Sequence, residues 1–371
     1  MGTPKQSAGA VATGALPGGV PAGGAPGGRS AGAPAPRPAA SAGLARAGRY
    51  VGTRYAVVLV WLAMAVIYAS VEPQSFLRHG TFQAIFSGQQ PLVFMAMALI
   101  CTFSVSEFDL AVPSVFGLAA TLVPVMNVLY HVNLVLAIVI AIAGAVAAEG
   151  VNAVLIVLIG VDPFVVTLGM STLLVGVALA LSRLTTVTGL PAGFAKVSQT
   201  DLLGLPLSFY YGVALVAIFA YVQTCTRLGR NMIFVGANRE VARLAGVPVR
   251  RIRMGAYLTS GLISGIGGVI AVAGLGSYDP TSSATYLLPV FASGLLGTAI
   301  VIPGRFNAIG SFIAVYFLET GVIGLDLLGF SGWITDVFFG AALIIAVAVS
   351  TIVRRRGTGT MSLPRAAGFQ R

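Results

Sequence analysis

Residues Leu110–Ala148 read LAVPSVFGLAATLVPVMNVLYHVNLVLAIVIAIAGAVAA, and none of them is Asp, Glu, Lys or Arg. The run is too long for one helix crossing a hydrocarbon core, which takes about 20 residues. It divides at Tyr130-His131-Val132-Asn133, where polar and helix-capping side chains interrupt the apolar pattern. Two successive membrane spans follow from that division. No period-2 alternation appears, so the spans are helices and not strands of a barrel.

The same reading extends in both directions. Upstream, Tyr55–Val71 makes a first span, and a second starts near Pro91 within the uncharged stretch Gly80–Ser106. Downstream, Val161-Asp162-Pro163 is a break and Phe164–Ser182 a fifth span. A polar loop, Arg183–Pro206, leads to Leu207–Thr226, and a basic loop occupies 227–253. Met254–Gly274, Tyr286–Val301, Phe306–Ile323 and Ile334–Val353 complete ten expected spans. The fold class expected is therefore an all-α polytopic membrane protein, with its transmembrane domain over 46–356. An Ala/Gly/Pro-rich tail, 1–45, has no hydrophobic period and reads as disordered. A short cytoplasmic tail, 357–371, follows the last span.

Composition agrees. The chain is 57% hydrophobic and 9% charged, against about 25% charged in soluble domains. Lipid is the solvent such a surface requires. The net charge of +11 would suit nucleic acid, but the basic residues lie at the ends and in one loop, without interleaved aromatics. No nucleic-acid partner is expected. With ten spans and the N-terminus inside, every Lys and Arg except Arg78, Arg183 and Lys196 falls on the cytoplasmic side. The positive-inside rule thus places the 227–253 loop and both termini in the cytoplasm.

Catalytic chemistry is not legible. A Walker A loop needs a lysine, and the two lysines, Lys5 and Lys196, stand in no glycine-rich phosphate loop. The two histidines, His79 and His131, sit at span boundaries and offer no credible histidine-based metal site or triad. Cys101 and Cys225 lie within or beside apolar runs and form no framework. No enzyme, no metal and no cofactor bound by this chain are expected.

The basic loop holds more structure than retention in the cytoplasm requires. Asn238 is a good N-cap, Arg239–Ala245 suffices for about two helical turns, Gly246 suits the position past the end, and Pro248 stops continuation. Apolar Val241, Leu244 and Val247 alternate with charges, as in a docking helix. The plainer reading is an arginine-rich orientation signal.

Here the sequence resembles a family. Gly236-Ala-Asn238-Arg-Glu-Val-Ala242-Arg-Leu-Ala-Gly246-Val247 is similar to the cytoplasmic coupling loop of permease subunits from ribose-type (monosaccharide) ATP-binding-cassette importers. Asn152-Ala-Val-Leu-Ile, then Val161-Asp-Pro163-Phe164-Val-Val-Thr167-Leu-Gly169-Met, resembles that family's Pro-Phe-Ile-x-Thr-Leu-Gly segment. Thr188-Gly189-Leu-Pro191 resembles its outer loop, and Phe108-Asp109-Leu110-Ala-Val112-Pro-Ser114-Val its Ile-Asp-Leu-Ser-Val-Gly-Ser-Val segment. The matches run collinearly over about 55–355. Departures are Glu107 and Pro113 where glycine is usual, and a glycine-poor Leu296–Arg305 before the ninth span.

The resemblance implies a bacterial inner-membrane permease subunit carrying a small polar solute, a monosaccharide by family. Its partners would be a separate cytoplasmic ATPase that uses ATP, a second permease subunit (identical or a paralogue) and an extracytoplasmic solute-binding protein. Gly236, Asn238, Arg239, Glu240, Ala242, Arg243, Gly246 and Val247 would form the ATPase-coupling loop, with Arg239, Glu240 and Arg243 as polar contacts and Ala242, Gly246 and Val247 fitting a groove in the partner. Charged groups inside spans are costly and often functional. Glu149, with Asn152 nearby, Glu319, Asp109 and the aromatic Phe94 are therefore the candidates for the solute pathway, interhelical pairing being the plainer role. The other class left open is a self-contained secondary transporter or channel with Glu149 and Glu319 as ion or proton sites. Dependence on an ATPase separates the two.

Overall fold

The computed structural model describes residues 57–330 and 332–357. The expected tail at 1–45, its arginines and the stretch 358–371 lie outside the described residues. The described residues are helical almost throughout. Val57–Val71 forms α1. Pro73–Phe76 (α2), His79–Ser87 (α3) and Gln90–Phe103 (α4) follow, then Val112–Pro124 (α5) and Leu134–Ala153 (α6). Both α5 and α6 end in a wide π-helical turn, over Val125–Leu129 and Val154–Ile159.

Next come α7 (Pro163–Leu181), a short outer helix α8 (Ala192–Gln199) and α9 (Leu207–Cys225). A minimal hairpin, Asp201–Leu202 with Leu205–Pro206, precedes α9. The loop helices α10 (Arg227–Ala237) and α11 (Arg239–Leu244) lead into α12 (Val249–Leu275). The last elements are α13 (Leu287–Gly297), α14 (Ala308–Leu327) and α15 (Trp333–Gly357).

Local chemistry fixes the helix starts. Asn133 caps α6 by accepting from the Val135 amide, and Asp162 caps α7 by accepting from Phe164 and Val165, with Pro163 at the first turn. Gly160 before it is left-handed at φ 90°, a conformation glycine enters without steric cost. The breaks expected at 130–133 and 161–163 stand.

The count of ten is not reached by long helices: among the described residues, seven helices are long and apolar enough to cross a membrane, while Val57–Val71 and Trp333–Ala348 are shorter apolar helices. The eighth expected span, Tyr286–Val301, is only the 11-residue α13, about 16 Å long against roughly 30 Å of hydrocarbon. It stops because Asn307 folds the next segment back. Its side-chain amide donates to the carbonyls of Gly297, Ile300 and Arg305, and Val301 takes φ 62°.

The connections still alternate between two faces. On one, Ser106 donates to the Gly236 carbonyl at 2.8 Å and the Ala308 amide to Gln223 at 3.1 Å. The turns 104–111, 226–248 and 298–307 therefore meet on the face of the basic loop. On the other, Gln199 donates to the Gly274 carbonyl, and Val187 pairs with Tyr278.

Helix α12 is the centre of the packing. Its glycines do not all share one helix face. Gly261 and Gly265 meet α6, Gly267 meets Phe94 of α4, and Gly268 meets the Phe116 carbonyl of α5. A methyl group on Gly268 would lie 2.5 Å from that oxygen. Three helices thus approach one backbone from three sides, which side chains there would prevent.

Candidate functional site

The basic loop is two helices, not one. Arg227–Ala237 was read as loop, yet Thr226 caps it by accepting from the Gly229 amide, and Met232 and Val235 are buried along its inner side. Gly229 and Gly236 look like helix breakers in the sequence. They are points of close approach: a methyl on Gly236 would lie 2.4 Å from the Ser104 carbonyl, and one on Gly229 would run into the backbone of Gln223.

The second helix is capped as expected. Asn238 accepts from the Val241 amide at 3.1 Å. Gly246, at φ 78°, ends the turn, and Pro248 is the residue from which α12 starts. The face this helix buries differs from the expectation. Ala242 is 0% exposed and packs with Val105, Met232, Val235, Ile252 and Ala256; Val247 packs partly against the same cluster. Ala242 thus fills a space within this chain, and Val247 does so in part. What faces outward is Glu240, Arg243 and Gly246, with Val241 48% and Leu244 87% exposed.

Arg239 also turns inward. It donates from Nη2 to the Glu107 carboxylate at 2.8 Å and to the Ser106 carbonyl at 3.0 Å. Arg253, in the first turn of α12, donates to the same Glu107 oxygen. Glu107 is the residue at which the resemblance implies a glycine. Its side chain is wholly buried, Arg253 is 14% exposed and Arg239 41%. Two cations on one buried carboxylate tie α11, the 104–111 turn and α12 together. Removing one partner of such a group costs far more than the intact pair contributes.

Beneath this pair lies a second polar layer. Asp109 is buried, accepts from the Ala111 amide at 3.1 Å, and receives a long contact from Ser260 of α12 at 3.5 Å. Glu149 and Asn152 of α6 are both buried, and Asn152 donates to Glu149 at 3.2 Å. Tyr257 of α12 is buried within the field of Asp109, Glu107, Glu149 and Arg253. Asp109 lies in the turn, outside the spans. Burial pushes its carboxyl up to about 7, and the neighbouring Glu107 adds to the effect. The structure brings together Asp109, Glu149 and Asn152 of the expected solute candidates.

It does not bring in the others. Phe94 is buried in the apolar core under Gly267, where its ring fills a helix contact. Glu319 is half-buried in α14, and no hydrogen bond joins it to the acidic layer. Tyr257 and Ser260 escaped the sequence reading. Their signal was available only through spacing on α12, which aligns with the acidic turn after folding.

Comparison with known proteins follows the same lines. A family described as "Branched-chain amino acid transport system / permease component" matches residues 83–347. The D-allose transport system permease protein of Escherichia coli (strain K12) is 25% identical over 305 residues, covering 81% of this chain and 93% of its own length. The autoinducer 2 import system permease protein of Yersinia enterocolitica serotype O:8 / biotype 1B is 32% identical over 212 residues, 56% of this chain and 64% of its own. Its counterpart in Salmonella typhimurium (strain LT2) is 29% identical over 270 residues, covering 71% and 80%. No solved structure matches. The chain, a multi-pass inner-membrane protein, belongs to this family of transport-system permease components.

Proposed function

We propose that this chain is the membrane-spanning subunit of an ATP-binding-cassette importer for a small polar solute of the monosaccharide class. The relatives named for D-allose and autoinducer 2 import support that class. The observation that carries the coupling half of the reading is α11. It is capped, bolted to the 104–111 turn through Arg239 and Glu107, and exposes Val241 and Leu244. A separate ATPase would seat that face. Movement of α11 would pass through the two arginines on Glu107 into α12 and the α4–α5 turn. A rigid linkage of this kind lets closure of one protein switch the other.

The ATPase alone would use ATP. A second permease copy or paralogue would complete the pathway, and an extracytoplasmic binding protein would supply the solute. Because Asp109, Glu149 and Asn152 are sealed inside one protomer, we assign them to holding α6, α12 and the turn together, and leave solute contact to the face between two permease subunits.

The test is ATP-driven uptake of radiolabelled D-allose and ribose by proteoliposomes holding this chain with a candidate partner ATPase and binding protein. Uptake that needs ATP and is abolished by Leu244→Glu is expected. Uptake driven by membrane potential without the ATPase would overturn the reading.

A further inference from the structure

The acidic layer beneath α11 is incompletely satisfied. Glu107, Asp109 and Glu149 are all buried there, and among the described residues both ion pairs fall on Glu107, from Arg239 and Arg253. Three carboxylates thus face two guanidiniums, and the layer is one positive charge short. Asp109 takes the Ala111 amide on Oδ1 and only the 3.5 Å contact from Ser260 on Oδ2. Glu149 takes the Asn152 amide on Oε2, and nothing donates to its Oε1. The two side chains lie within reach of each other, acceptor facing acceptor. Buried carboxylates so placed need a positive charge between them.

Two neutral side chains point to what supplies that charge. Asn152 is 0% exposed; its nitrogen is spent on Glu149, and its Oδ1 has no donor. Tyr257 is also 0% exposed, and its hydroxyl has no partner. Native interiors rarely leave such groups unpaired. Packing gathers them at one place. The Cβ and Cγ of Glu149 lie 2.9 and 3.0 Å from where a side chain on Gly261 would begin. Ser260, the contact of Asp109, immediately precedes Gly261, and Tyr257 lies one turn earlier on α12. The Tyr257 ring clusters with Ala153, Ile156 and Val157, just past Asn152.

The unsatisfied atoms are of one kind. Asp109 Oδ2, Glu149 Oε1 and Asn152 Oδ1 are acceptors, and Tyr257 adds a hydroxyl oxygen. A single proton would bridge two of these oxygens and leave the Asn152 carbonyl without a donor. A cation engages them together. Oxygen donors with no nitrogen or sulfur among them suit a hard ion, and a deficit of one charge selects a monovalent one. We infer that the oxygens between the 104–111 turn, α6 and α12 bind a monovalent alkali cation, held by Asp109, Glu149, Asn152 and Tyr257. The ion joins the turn to both helices directly beneath Glu107. Its donors are all oxygens, so a count of histidines and cysteines does not disclose it. The inference stands apart from the solute and the ATPase, because the chain alone reads it out.

The experiment takes the purified full chain in detergent at about pH 8, where protons compete least for the oxygens. Thermal unfolding is followed while sodium chloride, and in parallel potassium chloride, replaces choline chloride at constant ionic strength. With at least one of the two cations, the wild-type unfolding temperature is expected to rise by about 3 °C for each tenfold of concentration above the dissociation constant. Tyr257→Phe and Asn152→Leu each remove one oxygen without altering charge, and should displace that curve to at least about tenfold higher salt. Asp109→Asn should abolish the response; the two neutral changes read the site if that variant does not fold. Arg250→Gln, at an exposed position, should leave the response intact. Equal unfolding temperatures in choline, sodium and potassium overturn the inference. So does a curve unmoved by both Tyr257→Phe and Asn152→Leu, which would make the salt effect nonspecific. Stabilisation on lowering the pH with no response to either cation would assign the site to a proton, and overturns it as well.

Discussion

Arg239 and Glu107 stand 132 positions apart in the chain and meet at 2.8 Å, with Glu107 buried and Arg239 at the edge of solvent. With Arg253 on the same carboxylate oxygen, this contact joins the loop helix to two helices of the membrane core.

The three partners should not contribute equally. Glu107→Ala strands two guanidiniums, one of them largely buried, and is expected to cost about 3–5 kcal/mol. Arg253→Ala should come next. Arg239→Ala, at a solvent-screened position, should cost about 1 kcal/mol or less. Thermal unfolding of the purified protein in detergent gives the order.

Glycines on α12 should separate by what lies opposite them. Gly268→Ala places a methyl 2.5 Å from the Phe116 carbonyl and should destabilise by about 1–3 kcal/mol. Gly255→Ala, with nothing within 4 Å, should be neutral or stabilise by up to about 1 kcal/mol, since alanine favours the helix. The same unfolding assay reads both.

The acidic layer should give a pH signature. Asp109 titrates near 7 when folded, raised from 3.8 by burial. An acid with a raised folded pKa prefers its proton in the native state. Its contribution is therefore fully present below about 3.8 and lost as pH rises through about 7. Glu107, Glu149, Tyr257 and Ser260 surround it. Asp109→Asn should flatten that loss, so the wild-type unfolding temperature falls between pH 5 and pH 8 (roughly the window concerned) more than the variant's does.

The loop helix should be sensitive at its two ends. Asn238→Ala removes the cap on Val241 and should cost about 1 kcal/mol. Gly246→Ala forces a side chain into φ 78°, at roughly 1–2 kcal/mol. Hydrogen exchange confined to 239–247 is the measurement, since both changes act locally.

What the sequence disclosed, and what it withheld, follows from range. Asn133, Asp162 with Pro163, and Asn238 with Gly246 act on residues two or three positions away, so their breaks and caps could be read directly. Helix α10 could not, because Gly229 and Gly236 are small for the sake of Gln223 and Ser104 in other elements. Nor could the inward turn of Ala242 and Arg239, since the surface they meet includes the 104–111 turn. Glu107 stood out as a departure from the family's glycine, but its meaning required Arg239 and Arg253 in place. The shortening of the eighth span depends on Asn307, ten residues beyond Gly297, reaching back to it.

On our proposal, an ATPase engages this permease at the outward face of α11. The decisive measurement places a photocrosslinking amino acid at position 244, in membranes of cells that also make a candidate partner ATPase. A covalent adduct with the ATPase whose yield changes on adding ATP is expected, and none from position 242, which is buried. An adduct with lipid alone, or equal yields from both positions, would contradict it.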